Sequence, residues 1–490
     1  MRVREKEFNA NQFIIGAVLS LLTFWLFAQS MIIIMPAMQD DLGVSLGVLN
    51  TATSLTALIA GLFIVVAGGI SDRLGRKKLT YVGLMLSIVG SLFLIFANSA
   101  TFLLVGRAIQ GISASCIMPA TLALTKATFK GKERQRALSY WSFGSWGGGG
   151  LTAFVGGAIA TYMGWRWIFV ISIGVAFLAM YLLKGIPESS ASELKKTRFD
   201  YVGFFLFIIL LLGINIVVTR GQDFGWSSPL TMILIGTSII TAILFFVIEK
   251  KKKNQFIEFS LFKSKPYTGA VVSNFLQNGI AANIVVANTY VQLARGFTPF
   301  QTGLLSLGNV VALLIMIRVG EKMLQKIGAR KPMIAATFIA SLGMSVTAMT
   351  FLPNTAYIIV AFIGFLVSGI GIGMYATPSI DTALVNISEN KAGIASGIYK
   401  MASSLGYSFG IAISTSVFGV LMTITSIHIA GSLGILVNIV LAILAIIVVA
   451  KTIGPDEGLK NSEGTDENDA EDVKKLAQVS EAEVTSAFKT

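Results

Sequence analysis

Residues Trp141–Gly157 read WSFGSWGGGGLTAFVGG, seven glycines in seventeen positions. Glycine at this density has two unrelated uses: a backbone that wraps a phosphate, or a helix face flat enough for another helix to lie on. A phosphate loop needs a lysine at its end, and none stands here. The spacing favours the second use. Gly144, Gly148, Thr152, Gly156 and Ala160 recur at intervals of four, and Ser145, Gly149, Ala153, Gly157 and Thr161 form the adjacent row. Two rows of small side chains let helices approach closely inside a bilayer. The stretch is therefore expected to be a membrane helix that slides against the other half of a bundle and bends through its glycines.

The rest of the chain has the composition this requires. Of 490 residues, 54% are hydrophobic and 13% charged, against about 25% charged in soluble domains, and the mean hydropathy is +0.76. Apolar stretches of membrane-crossing length recur near 13–38, 48–70, 79–98, 101–125, 138–160, 166–184, 200–220, 228–249, 267–294, 300–319, 331–352, 355–378, 393–424 and 428–450. The first exceeds a signal-peptide core of about 7–15 residues and is expected to remain in the mature chain. Of the 38 lysines and arginines, 27 fall in the N-terminus and in every second loop, while the loops between hold only Arg166, Arg220 and Arg295. Basic loops mark the cytoplasmic side. The expectation is an all-α polytopic membrane protein with fourteen transmembrane helices and both termini cytoplasmic. The net charge of +13 then reports topology, and no nucleic-acid partner is expected.

A glycine-and-basic turn recurs after the second and tenth spans (GGISDRLGRKKL and VGEKMLQKIGARKPM), and small-residue helices recur at the fifth and thirteenth. Two related halves with a midplane site are a common transporter plan. The expected division is a cytoplasmic N-terminus (1–12), a six-helix half (13–184), a loop (185–199), two inserted helices (200–249), a loop (250–266), a second six-helix half (267–450) and a disordered acidic tail (451–490). The tail is too polar to offset the entropy of ordering.

Charges inside such spans are costly and mark function. Arg107 sits well inside the fourth span. Candidate proton-carrying acids are Asp381, after Pro378 in the twelfth span, and the adjacent Asp40 and Asp41 at the outer end of the first. Lys400 and Arg318 are possible ion-pair partners for Asp381. Aromatic and polar residues suited to a substrate cavity are Trp25, Gln29, Gln110 and Trp146, together with the ninth span, where Asn274, Asn278, Val285, Asn288 and Gln292 share a helical face. That polar face could equally bind helix to helix. His428 is expected at the interface. The single cysteine, Cys116, excludes an internal disulfide and a cysteine-held metal. No catalytic grouping, metal site or cofactor is expected, so an enzyme is excluded.

The stretch Gly68–Lys78, GGISDRLGRKK, places Gly68, Asp72, Arg73, Gly75 and Arg76 at a glycine–acid–base spacing. Leu103–Gly111 reads LLVGRAIQG. In these motifs the chain resembles the fourteen-helix drug:proton antiporters of the major facilitator superfamily, close to Gram-positive quinolone and multidrug efflux pumps, over nearly its whole length before the tail. The resemblance implies that the first motif gates the inner side, that Arg107 serves proton coupling, and that Gly144–Gly157 carries the antiporter motif. Two departures stand out. The family's helix-one aspartate is Phe27 here, and its glycine–proline pair is Thr152 and Ala153. The implied function is proton-driven export of amphipathic drugs (quinolones, cationic dyes and antiseptics) by a monomer whose partners are drug, protons and lipid. The alternatives are proton-coupled transport of a physiological solute and a non-transporting receptor.

Overall fold

The computed structural model describes residues 9–459 apart from 29, 149–154, 157, 161, 191–199, 253, 254 and 258. Gln29, Gly149, Gly157 and the acidic stretch beyond 459 thus lie outside the described residues. Every described element is a helix. Backbone polar groups in a bilayer have no water to bond, and helices satisfy them internally. Among the described residues, nine helices are long and apolar enough to cross a membrane, and Ala10–Leu26, Arg166–Leu182 and Tyr201–Val217 are shorter apolar ones.

The first expected span holds α1 (Ala10–Ala28) and α2 (Ser30–Leu42), on either side of Gln29, which lies outside the described residues. Then come α3 (Leu46–Leu74), α4 (Arg76–Ile95), α5 (Ala100–Thr128), α6 (Gly131–Ser142) and α7 (Arg166–Leu182). Next are α8 (Tyr201–Phe224) and α9 (Pro229–Lys251). The remainder comprises α10 (Lys265–Ala281), α11 (Asn283–Arg295), α12 (Pro299–Ile327), α13 (Arg330–Thr347), α14 (Asn354–Val385), α15 (Ala392–Ile424), α16 (Ile427–Leu436) and α17 (Ile439–Thr452). The ninth and fourteenth expected spans are therefore also jointed, at Ala282 and at Val437–Asn438. Loops end where a side chain can take over an orphan backbone donor: Ser228 and Ser264 cap α9 and α10 just before a proline, and Thr298 with Gln301 forms a capping box on α12.

Helix α5 packs on α3 and α4, and α7 on α1 and α4. In the second group α14 packs on α12 and α13, and α10 on α15 and α17. The two groups share one device. Gly90 on α4 lies 3.0 Å, measured from an ideal Cβ, from the Gly106 carbonyl on α5, and Gly364 on α14 lies 2.8 Å from the Gly343 carbonyl on α13. The main seam between the groups is α15 against α3 and α5, with α6 reaching α12 and α14 on the inner side. The pair α8–α9 docks through α8 beside that seam. At its inner end Lys252 binds both Asp200 oxygens at 2.6 Å. Burial raises the Asp200 carboxyl, but the Gly203 N–H and Lys252 outweigh it and hold its pKa below the ordinary value. The outward faces are apolar: Val82, Met85, Val89 and Leu92 form an exposed stripe on α4, and Ile233, Ile240, Leu244 and Val247 one on α9, as lipid contact demands.

Candidate gates and transport cavity

The inner ends of the two groups are locked together around Asp72. Its carboxylate accepts from Arg76 Nε and Nη2 (3.1 and 2.9 Å), one turn along the same motif. It also accepts from the Gly393 and Ile394 N–H groups (2.9 and 3.1 Å) at the start of α15. A helix N-terminus is a ready anion site, so Asp72 of one group caps a helix of the other. Arg76 donates on to the Glu389 carbonyl. The motif's glycines follow from the same contact. Gly68 lies directly on the Gly393 carbonyl, where a Cβ has no room, and Gly75 has φ +117° with Glu188 against it. Glu188 in turn caps α4, accepting from the Lys77 and Lys78 N–H groups at 3.0 and 2.9 Å.

A second lock centres on Asp381 at the inner end of α14. The carboxylate is fully buried and accepts from Arg134 Nε (3.1 Å) and Gln135 Nε2 (3.3 Å), both on α6. Lys126 of α5 donates to the Leu384 and Ile387 carbonyls nearby. The segment after α17 runs into this lock: the Gly458 carbonyl accepts from Gln135 (3.1 Å), and the Glu457 carbonyl from Ala329 N–H (2.8 Å). The sequence had offered Lys400 and Arg318 as partners for Asp381. The structure instead gives Arg134, because the inner extension α6 swings beneath the second group. Arg318 pairs with Glu321.

Above these locks the seam opens. Along α3 the face that meets α15 runs Gly68, Val65, Gly61, Ala57, Ser54; the first two are buried and the last two exposed. Along α15 the facing stripe runs Gly393, Gly397, Lys400, Ser404, Tyr407, and it changes from buried to exposed between Lys400 and Ser404. Gly397 lies 2.8 Å from the Ile64 carbonyl, at the inner part of the crossing. The crossing of the two helices is thus buried as far as Lys400, and the exposed residues that continue the two stripes beyond it mark a candidate cleft.

The fifth span meets the seam at Ser145, which accepts from Lys400 Nζ (2.9 Å), but its glycine row does not face the other half as expected. Phe143–Gly147 forms a π-helical turn, a device that inserts one residue into a helix and re-aims its side chains. The row Gly144 and Gly148 faces α1 of its own group: a Cβ at Gly148 would meet the Trp25 indole, and one at Gly144 would meet Leu21. The residue between them in register, Gly147, meets Leu314 of α12 across the seam. The close face thus seats the fifth span on α1, and the π-turn presents the seam-facing residues. Gly156 is buried. Trp146, Phe143, Leu314 and Ala281 all pack against the buried cluster of Leu313, Ile317, Ala340, Ile372 and Ala376.

Other expected residues are displaced from the cleft. Gln110 is fully buried inside the first group, where it accepts from Arg107 Nη1 (2.9 Å) and donates to Ser91 Oγ (3.4 Å). Arg107 also donates to the Ala52 carbonyl (3.3 Å), and its own carbonyl accepts from Thr56 (2.9 Å), which ties α5 to α3. Asn274 donates to the Tyr399 carbonyl and Ser403 Oγ (2.9 and 2.6 Å), and Asn278 donates to Asn274 (3.0 Å). Asn288 accepts from Ser306 (2.9 Å). On the polar face of the ninth span, Asn274 and Asn288 thus bond other helices, Asn278 bonds only within α10 and Gln292 is exposed, the joint at Ala282 lying between the two halves. Asp40 and Asp41 are exposed at the outer surface, and Asp41 pairs with Arg166, away from the cleft. His428 bonds Tyr290 (2.7 Å) at the outer rim. Residues that the sequence reading passed over are Arg134, Gln135 and Lys126, which look like ordinary loop charges until the inner seam is formed.

Known proteins extend these observations. A family profile described as Major Facilitator Superfamily matches residues 13–411. The quinolone resistance protein NorB of Staphylococcus aureus strain MSSA476 is 47% identical over 446 residues, covering 91% of this chain and 96% of that protein. NorB of strain COL matches to the same extent. Two solved structures share the fold: the proton:xylose symporter XylE (TM-score 0.65, 15% identity, 93% of this chain and 98% of that one) and the human organic anion transporter MFSD10 (TM-score 0.64, 13% identity, 91% and 100%). The chain belongs to the Major Facilitator Superfamily, in its drug-efflux branch, and is a multi-pass protein of the bacterial plasma membrane.

Proposed function

We propose that this protein is a proton-coupled exporter of amphipathic drugs, quinolones among them, that works by alternating access. The observation that carries this reading is the α3–α15 seam, sealed below Lys400 by charges from opposite groups and open above it. A seam of that shape is one of two end states of a rocking pair. Fourteen spans with both termini cytoplasmic, arranged as two six-helix halves (13–184 and 267–450) around an inserted pair (200–249), fit the helices and the loop charges. One chain supplies both sides of the seam, so a monomer suffices.

Asp381 is the acid best placed to couple the proton. Its charge holds Arg134 and Gln135 of the other half. A proton entering from the open cleft neutralises it, releases α6 and lets the inner side open, where the proton leaves and drug enters. Arg107 fastens α5 to α3, so the splay of α3 and the packing of the fourth span move together. Each proton moving inward supplies about 2.3 kcal/mol per 100 mV, in addition to the pH gradient. In proteoliposomes holding the protein in inside-out orientation with an acidic interior, norfloxacin added outside should accumulate within and dissipate the pH gradient. If none of a panel of amphipathic drugs moves uphill or dissipates the gradient, the reading fails.

A further inference from the structure

Lys400 is 8% exposed and stands where the seam changes from sealed to open. Its ammonium donates to Ser145 Oγ of the other half (2.9 Å) and lies 5.4 Å and 6.0 Å from the ring centroids of Trp141 and Trp146. None of these contacts is a carboxylate. A buried ammonium has three donors and a full charge, and a hydroxyl with two indole faces leaves much of that charge uncompensated.

Two further buried polar groups are left unpartnered, one on the Trp146 ring that Lys400 faces and one on α10, Gln277. Gln277 on α10 is fully buried, yet neither its Oε1 nor its Nε2 has a hydrogen-bond partner. Its direction follows from its neighbours. Ser273 bonds Tyr375 of α14 and Asn274 bonds Tyr399 and Ser403 of α15, so Gln277 points between those helices. Ala281, one turn further along the same face, packs in the cluster that contains Trp146. The Trp146 Nε1 donor is itself buried and unbonded. An orphan buried amide and indole N–H are costly, and both are relieved by an acceptor placed between them.

We propose that Lys400, Gln277 and Trp146 form a subsite at the cleft floor that takes the carboxylate of an aromatic amphiphile, with the ring lying against the Trp146 and Phe143 side. Three donors converge there: an ammonium, an amide NH2 and an indole N–H. The recognised class is the aromatic carboxylic acids, zwitterionic or anionic, rather than permanent cations. This rests on the exporter reading above and adds the chemistry of the recognised head group.

The test compares norfloxacin with its methyl ester, which removes the anionic charge and leaves the ring intact, and with ethidium as a permanent cation. Binding to the purified protein is read by quenching of tryptophan fluorescence, and transport by uptake into the proteoliposomes. The wild type should prefer acid to ester by about tenfold. Lys400→Gln should bring that ratio to about one, Lys400→Arg should retain it, and Gln277→Leu should lower it partway. A ratio unchanged in Lys400→Gln, or a parallel loss of acid, ester and ethidium binding, overturns the subsite; the parallel loss would make Lys400 a packing or coupling group. Transport of none of the three by the wild type would instead fell the exporter reading, while the binding ratios would still judge the subsite.

Discussion

Asp381 illustrates what a single residue shows before and after folding. An acid about one turn from the end of an apolar helix was legible as a residue that needs a partner, because a bilayer tolerates such charges only when they are paired. Its partner was not legible. Arg134 lies 247 positions away, in a stretch that reads as one more basic loop. Lys400 was visible only as a candidate partner for Asp381; its place on the facing stripe of the seam depends on which side of α15 meets α3. Breaking a buried pair by removing one member costs about 3–5 kcal/mol, which here falls on the inner-closed state. Asp381→Asn should therefore lose uphill norfloxacin accumulation by at least tenfold while downhill norfloxacin movement through the protein persists, measured with and without an imposed pH gradient. Undiminished uphill transport in this variant would remove Asp381 from the coupling step.

At the scale of elements, hydropathy located the helices well because each must cover its backbone polar groups inside the bilayer. The joints were less legible. Neither the break between α10 and α11 at Ala282 nor the one between α16 and α17 carries a proline, and the polar face read across the first of them assumed one continuous helix. The glycine rows of the fifth span were expected to meet the other half, whereas Gly144 and Gly148 pack on α1 of their own group. Most of the second row lies outside the described residues. A row of small residues does not say which neighbour it meets. The π-turn at Phe143–Gly147 shifts the register, so Gly148 meets Trp25 and Gly147 crosses the seam. Gly148→Val forces the branched side chain into the indole, an overpacking worth about 1–3 kcal/mol. Transport should fall about tenfold with the protein still in the membrane and its melting temperature reduced, while Gly148→Ala should show a smaller loss. Wild-type transport in Gly148→Val would mean that α1 and the fifth span are free to separate.

At the scale of the molecule, the glycine–acid–base motif was expected to gate the inner side, and in the structure its aspartate bonds the start of a helix in the other group. Asp72 caps α15, Asp381 holds α6, Lys126 reaches the end of α14, and the segment 454–459 leans on the same lock. Every one of these contacts lies at the same end of the two groups, the end that the proposed topology places in the cytoplasm, and the rocking motion of the proposed cycle must break them together. The central claim is that the α3–α15 seam closes at one end as it opens at the other. Its most direct test is thiol labelling in a background where the sole cysteine, the buried Cys116, is replaced by serine. Single cysteines at Ser404, in the exposed part of the α15 stripe, and at Ser396, a buried position beside its sealed part, report the two regions. At rest, a membrane-impermeant maleimide should label Ser404→Cys from the outside and leave Ser396→Cys unreacted from either side. During turnover with norfloxacin and a pH gradient, labelling of Ser404→Cys should slow as Ser396→Cys becomes reactive from the cytoplasmic side. Labelling of both positions from the same side at once, or rates that ignore substrate and gradient, would contradict it.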